Sequence, residues 1–101
     1  MEINKVNLQS QLDTIKDFWN LKEIAKVNNH SVKIFKLNGD LEMHKHDNGD
    51  KLLLIIDGTM YVEFLDRTEE VKTGEFIVIP SGVEHKPFTK EEASAIMFEL
   101  L

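Results

Sequence analysis

The sequence predicts an all-β domain, a sandwich or barrel, preceded by a short N-terminal helix. Three observations predict it. Seven or eight short segments rich in β-branched, aromatic and aliphatic residues follow one another at close spacing between residues 21 and 101. Clusters of Gly, Asn, Asp and Pro separate them, the residues that turns require. One stretch near the N-terminus repeats its apolar residues with a helical period.

That stretch comes first. Leu8, Leu12, Ile15 and Trp19 fall at steps of four, three and four, one face of a helix, and Asn7 is placed to cap it. The helical segment is therefore assigned to residues 1–20 and the β-barrel to 21–101, within one domain covering 1–101. "LKEIAKV" (21–27) is the least marked strand. "NNHS" (28–31) is a turn, "VKIFKL" (32–37) a strand and "NGD" (38–40) its end. "LEMHKH" (41–46) alternates as a strand does, "DNGD" (47–50) is a loop, and "LLLII" (52–56) reads as a strand buried on both faces. Asp57-Gly58 is the strongest hairpin signal, and "TMYVEFL" (59–65) is expected to return from it. A turn in "DRTEEVKTG" (66–74) contains a short strand around Val71. "FIVIP" (76–80) is a strand stopped by proline, and "SGVEHKPF" (81–88) is loop and strand edge. "ASAIMFEL" (93–100) ends the chain with Ile96, Phe98 and Leu100 on one face.

Composition narrows the function. Twelve Lys and Arg against 18 Asp and Glu give a net charge of −6, which opposes binding to phosphate backbones and argues against nucleic acid as a partner. The absence of cysteine excludes disulfides, thiolate zinc sites and a Cys nucleophile, and fits a cytoplasmic location. "MEINKVNLQS" has no apolar core of a secretory signal, and the longest apolar run, Leu52 to Ile56, is far too short to span a bilayer, so no membrane association is expected.

Two stretches carry chemistry. In a strand, residues two apart share a face, so His44 and His46 set two imidazoles side by side, and neutral imidazole is a good ligand for zinc, copper, nickel or iron. In "GEFIVIPSGVEH" (74–85), Gly74 opens a strand, Pro80 ends it, Gly82 allows a tight turn and His85 follows. Other candidates read as background. His30, Glu63 and Glu84 are expected in solvent, and Met43, Met60 and Met97 as core filling. Ser81 lacks the strand–turn–helix context of a nucleophile, and no phosphate-cradling Gly-rich loop is present.

Taken together these motifs resemble the cupin family. Its first motif appears as Gly39, His44, His46 and Gly58, and its second as Gly74, Pro80, Gly82 and His85 with every spacing met. The resemblance spans nearly the whole chain and is closest to small single-domain, mannose-6-phosphate-isomerase-like cupins. It implies a jelly-roll (double-stranded β-helix) barrel in which His44, His46 and His85 converge at the mouth to bind a divalent metal (Zn, Fe, Mn or Ni). It also implies a homodimer, for which the helix stripe and Trp19 offer an apolar surface.

The chain departs from the family pattern at two positions. The motif's Asn is Thr89, which is not at a usual ligand position. The motif's Glu, which completes a three-His, one-carboxylate set, is Lys51. A lysine facing the imidazoles would repel a metal, by several kcal/mol at ~5 Å and an effective dielectric of ~20. Asp50 could substitute only through a bulge that shifts the register. Three histidines and water are still a sufficient zinc site. The sequence thus predicts a small cupin of undetermined activity that binds a metal ion, a small ligand or both in its mouth. The alternatives are a metal-dependent dioxygenase, isomerase or epimerase acting on a small polar substrate, and a metal-free interaction module with a vestigial site. No catalytic residue is assigned.

Overall fold

The computed structural model describes residues 3–101. One helix, α1 (Leu8–Leu12), precedes seven strands: β1 (Lys22–Val27), β2 (His30–Asp40), β3 (Lys51–Asp57), β4 (Thr59–Glu63), β5 (Thr68–Lys72), β6 (Phe76–Ile79) and β7 (Lys86–Leu100). All strand pairings are antiparallel. The hydrogen-bonded order is β1-β2-β7-β3-β6, with β4 pairing β7 and β5.

The long strand β7 joins the two layers. Its residues 94–98 pair with β3 and its residues 86–88 with β4, while β2 runs beside it from His30↔Leu100 to Asp40↔Phe88. The layers close over one core, built from Phe35, Leu37, Leu53, Ile55, Met60, Val62, Val71, Ile79, Ala93, Ala95 and Met97. Every strand from β2 to β7 contributes to it, so burial of these side chains holds the layers together. A second, smaller core lies on the outer face of the first layer, where Leu12 and Ile15 pack on Ile34 with Leu8, Ile24, Ile56 and Ile96 around them. The arrangement is the jelly-roll barrel expected from the sequence.

The N-terminal segment differs from the expectation in extent. Asn7 caps the helix as predicted, its side-chain oxygen accepting the Ser10 amide at 2.9 Å. The helix ends at Leu12, not near residue 20, and Met1 and Glu2 of the predicted segment lie outside the described residues. Leu8, Leu12 and Ile15 do share one buried face. Trp19 leaves it: its backbone turns left-handed (φ 62°), its amide donates to the Lys36 carbonyl at 2.8 Å, and its indole Nε1–H donates to Asn38 O at 3.0 Å. The indole packs against the main core beside Phe35. The stripe and Trp19 are thus occupied within the chain and form no exposed apolar surface.

Five local expectations are also corrected. The Asn-Asn turn is shorter than 28–31, with Asn28 at φ 54° and His30 already in β2. Strand β2 does not stop at Leu37 but continues through a register shift between Leu37 and Gly39 to Asp40. Asp57-Gly58 is not a hairpin: only Gly58 has positive φ (95°), and β3 and β4 both pair with β7 instead of with each other. The dipeptide is a corner that carries one strand direction from the first layer into the second. Residues 41–46 form no strand, only an isolated bridge at His44. Strand β3 alternates, with Leu53 and Ile55 buried and Leu52, Leu54 and Ile56 half-buried.

Candidate metal centre

The three predicted histidines meet. His44 and His85 exchange both backbone hydrogen bonds, at 2.9 and 2.8 Å, in an antiparallel bridge that sets their side chains next to each other. The His46 carbonyl accepts the Gly82 amide at 2.6 Å, and Asp50 Oδ1 accepts the Ser81 amide at 2.9 Å. The turn after Pro80 therefore latches onto residues 44–50. Gly82 sits there at φ 81°, where a side chain would be strained. Ring centroids are 4.8 Å apart for His44–His46, 4.4 Å for His44–His85 and 5.4 Å for His46–His85. The two motifs fold into one site although the segment bearing His44 and His46 is irregular.

Two of the imidazoles are oriented by their own backbone. His44 Nδ1 lies 2.7 Å from Glu42 O, and His85 Nδ1 lies 2.9 Å from Val83 O. A carbonyl oxygen only accepts, so both Nδ1 atoms must carry the proton. In the neutral rings the lone pair is then on Nε2. This is the outer support that metal-bound histidines use. The pKa of His46 is pulled below its ordinary 6.5 first by burial, then by the charge of Lys51 and by the other two imidazoles, with Glu99 opposing. That of His85, almost fully buried, is also lowered, chiefly by burial and further by His44 and Lys51, against the raising effect of its bond to Val83. Both shifts favour the neutral, ligating form.

Lys51 does face the histidines. It shares the inward side of β3 with Leu53 and Ile55, and its register partner on β6 is the buried Ile79. It has a partner that sequence reasoning missed: its Nζ donates to Glu99 Oε1 at 2.8 Å, both side chains being about nine-tenths buried. Lys33 Nζ lies 3.0 Å from Glu99 Oε2 but off the hydrogen-bonding direction, which leaves that buried oxygen without a hydrogen-bond partner. Burial pushes the Glu99 carboxyl up. The hydrogen bond from Lys51 and the proximity of both lysine charges outweigh this and hold it below its ordinary 4.5. A signal for Glu99 existed. Ala93, Ala95, Met97 and Glu99 alternate on β7, and the first three are core residues, so the period places the carboxylate inward.

The remaining candidates separate clearly. Asp50 is spent on Ser81 and is not a substitute ligand. His30 stacks on Phe98 at 4.5 Å, apart from the cluster. Glu63 and Glu84 are exposed as expected. Met60 and Met97 fill the core, whereas Met43 is 38% exposed and does not. A groove of about 1210 Å³ lies elsewhere, along β5, β6 and the 64–67 loop, with Phe64, Leu65, Phe76 and Val78 among its walls. None of the three imidazoles lines it.

The donor set fits a metal. Among the described residues, His44, His46 and His85 are the one group of His, Asp or Glu able to hold an ion, their ligand atoms lying within 4.8 Å of one another. A tetrahedral ion with Zn–N of about 2.1 Å needs about 3.4 Å between donors, so the donors would draw closer on binding. Three nitrogen donors leave at least one coordination position open, as in catalytic rather than purely structural sites.

Comparison with known proteins places this geometry in context. A model of the cupin domain matches residues 32–101. The crystal structure of a cupin-2 domain containing protein from Shewanella frigidimarina NCIMB 400 superposes with a TM-score of 0.93 at 31% identity, covering 95% of this chain and 94% of that one. Protein NMB1881 from Neisseria meningitidis gives a TM-score of 0.88 at 31% identity, over 97% and 100% of the two chains. The uncharacterized protein YdbB of Bacillus subtilis (strain 168) is 30% identical over 64 residues, which are 62% of this chain and 57% of YdbB. The match thus spans just over half of that relative.

Proposed function

The chain belongs to the cupin-domain family, and on that premise we propose that it is a small metal-binding cupin whose His44, His46 and His85 hold one divalent ion in the barrel mouth. The observation that supports the reading is the pair of Nδ1–carbonyl hydrogen bonds, which leave the Nε2 lone pairs of His44 and His85 available to a metal. Lys51 weakens this case less than its charge suggests, because Glu99 pairs with it at 2.8 Å. The ion, with an open position, would supply Lewis acidity toward a small ligand. The protein's part is to hold neutral imidazoles in a partly dry site.

A second reading, a barrel whose metal site is no longer used, is favoured by Lys51 itself, whose charge bears on both His46 and His85. One experiment separates the two. Tag-free protein is assayed for metal by mass spectrometry, then stripped and melted with added Zn, Mn, Ni or Fe(II). The metal-binding reading expects about one ion per chain and a raised midpoint, since a ligand at ~100 times its Kd stabilises the folded form by about 2.7 kcal/mol. His85→Ala should lose both responses. No bound metal, together with no shift for any of the four ions, rejects the reading.

A further inference from the structure

The polar residues inside the mouth do more than surround three histidines. Lys33 on β2 and Lys51 on β3 flank Glu99 on β7, with nitrogen–oxygen distances of 3.0 and 2.8 Å. Among the described residues, Glu99 is the one carboxylate within ion-pair distance of either lysine. The register partner of Lys33 on β1, Glu23, accepts the Ser31 hydroxyl at 2.6 Å and stands on the edge strand. Two ammonium groups therefore share one carboxylate on the inner wall. Lys51 is 11% exposed and Lys33 28%, so this excess positive charge is only partly screened by bulk water, and an anion reaching the wall would offset it. Three imidazoles bring no negative charge, so a bound divalent ion would add its full charge to the surplus. A carboxylate in the ligand set would have cancelled part of it.

We propose that Lys51, supported by Lys33 and Glu99, is an anion-holding residue, and that the ligand of this mouth is a small organic carboxylate. The proposal rests on the metal-binding reading in one respect: the metal and Lys51 would hold the same ligand. Glu99 keeps the lysine inside by fixing one of its three N–H donors, and the others are free for the ligand. Neutral polyols and sugars could accept a hydrogen bond from Lys51 but would leave the positive charge unbalanced.

The test uses glycolate and its neutral counterpart glycolamide. Both are titrated into zinc-loaded and metal-free protein, and binding is followed by amide NMR shifts around Gly82 and His85. Glycolate is expected to bind saturably and glycolamide at least tenfold more weakly. Lys51→Gln should cost about tenfold or more in glycolate affinity, the worth of one charge-assisted hydrogen bond, while zinc affinity stays the same or rises. Lys51→Arg, which keeps the charge and the Glu99 pair, should retain glycolate binding and guards against a merely misfolded variant. Equal binding of glycolate and glycolamide overturns the proposal. So does glycolate affinity within twofold of wild type in Lys51→Gln with zinc still bound, and that result leaves the metal reading intact. If zinc does not bind, the metal-free titration decides: Lys51-dependent glycolate binding sustains the anion site alone, and its absence removes both readings.

Discussion

Removing either partner of the Lys51–Glu99 pair should destabilise the barrel far more than removing both. The two groups meet at 2.8 Å with side chains 11% and 8% exposed, so each has lost most of its water. Breaking such a buried pair by deleting one partner costs about 3–5 kcal/mol, because the survivor keeps its charge without its counter-ion. The mouth lets some water in and Lys33 partly replaces Lys51, so about 3 kcal/mol is expected for Lys51→Met. Glu99→Leu strands two ammonium groups, although Lys33, at 28% side-chain exposure, can turn outward. About 3 kcal/mol or slightly more is expected there. The double variant leaves no buried charge on this wall once Lys33 swings out, and apolar replacements of similar volume are often neutral or better. It should therefore be more stable than either single variant, with a coupling energy of about 3 kcal/mol or more. Urea unfolding of the four proteins at neutral pH, read by tryptophan fluorescence, gives all terms. Additive single effects within about 0.5 kcal/mol, or single losses below about 1 kcal/mol, would refute the claim that this pair is buried and mutually dependent.

The pH dependence of the metal-free protein follows from the same site. His46 and His85 titrate below 6.5 when folded, so between their folded values and 6.5 the unfolded chain binds more protons and stability falls as pH falls. Glu99, held below 4.5, adds a second loss as pH drops through its folded value. Urea midpoints from pH 7.5 to 3.5 should show both steps, and His85→Asn should shrink the upper one; an unchanged upper step would exclude His85 as its source. Gly58→Ala should cost about 2 kcal/mol or more, since a Cβ there meets the Ala93 Cβ at 2.8 Å and Cα at 3.1 Å on a backbone at φ 95°. A melting point within about 2 °C of wild type would show that the corner relaxes freely.

What the sequence made legible was whatever depends on local pattern. The strand pieces around 22–27, 51–57, 68–72 and 76–79 follow from β-branched alternation and turn residues, and the Asn7 cap follows from side-chain chemistry. The His44, His46 and His85 constellation was legible from motif spacing, and its convergence was realised. The misreadings share one cause: each needed knowledge of a distant partner. Asp57-Gly58 has the chemistry of a hairpin, but β7 is long enough to pair with both flanking strands, and that pairing outcompetes the local turn. Trp19 fits the helical period, yet the Asn38 carbonyl and the Phe35 ring draw it to the main core. Residues 41–46 alternate without a ladder because their backbone contacts are scattered: Leu41 donates to Pro87 O, His44 bridges His85, and His46 O accepts from Gly82.

The chemistry of the mouth turns on where the carboxylate went. Position 51 is inward because β3 alternates and Leu53 and Ile55 must be buried. An inward lysine needs a counter-ion from a neighbouring strand. On one side β6 offers Ile79. On the other, the register continuing from Leu52↔Phe98 brings Glu99. The charge that the family motif places among the imidazoles is thus one strand away, claimed by two ammonium groups. Glu99 is not among the donors grouped at the three histidines, and one of its oxygens is held by Lys51. An ion held by His44, His46 and His85 would complete its coordination from water or from a ligand. On the proposal made above, negative charge to balance the site would come from the ligand or from a metal-bound hydroxide, and a carboxylate ligand would meet both the ion and Lys51.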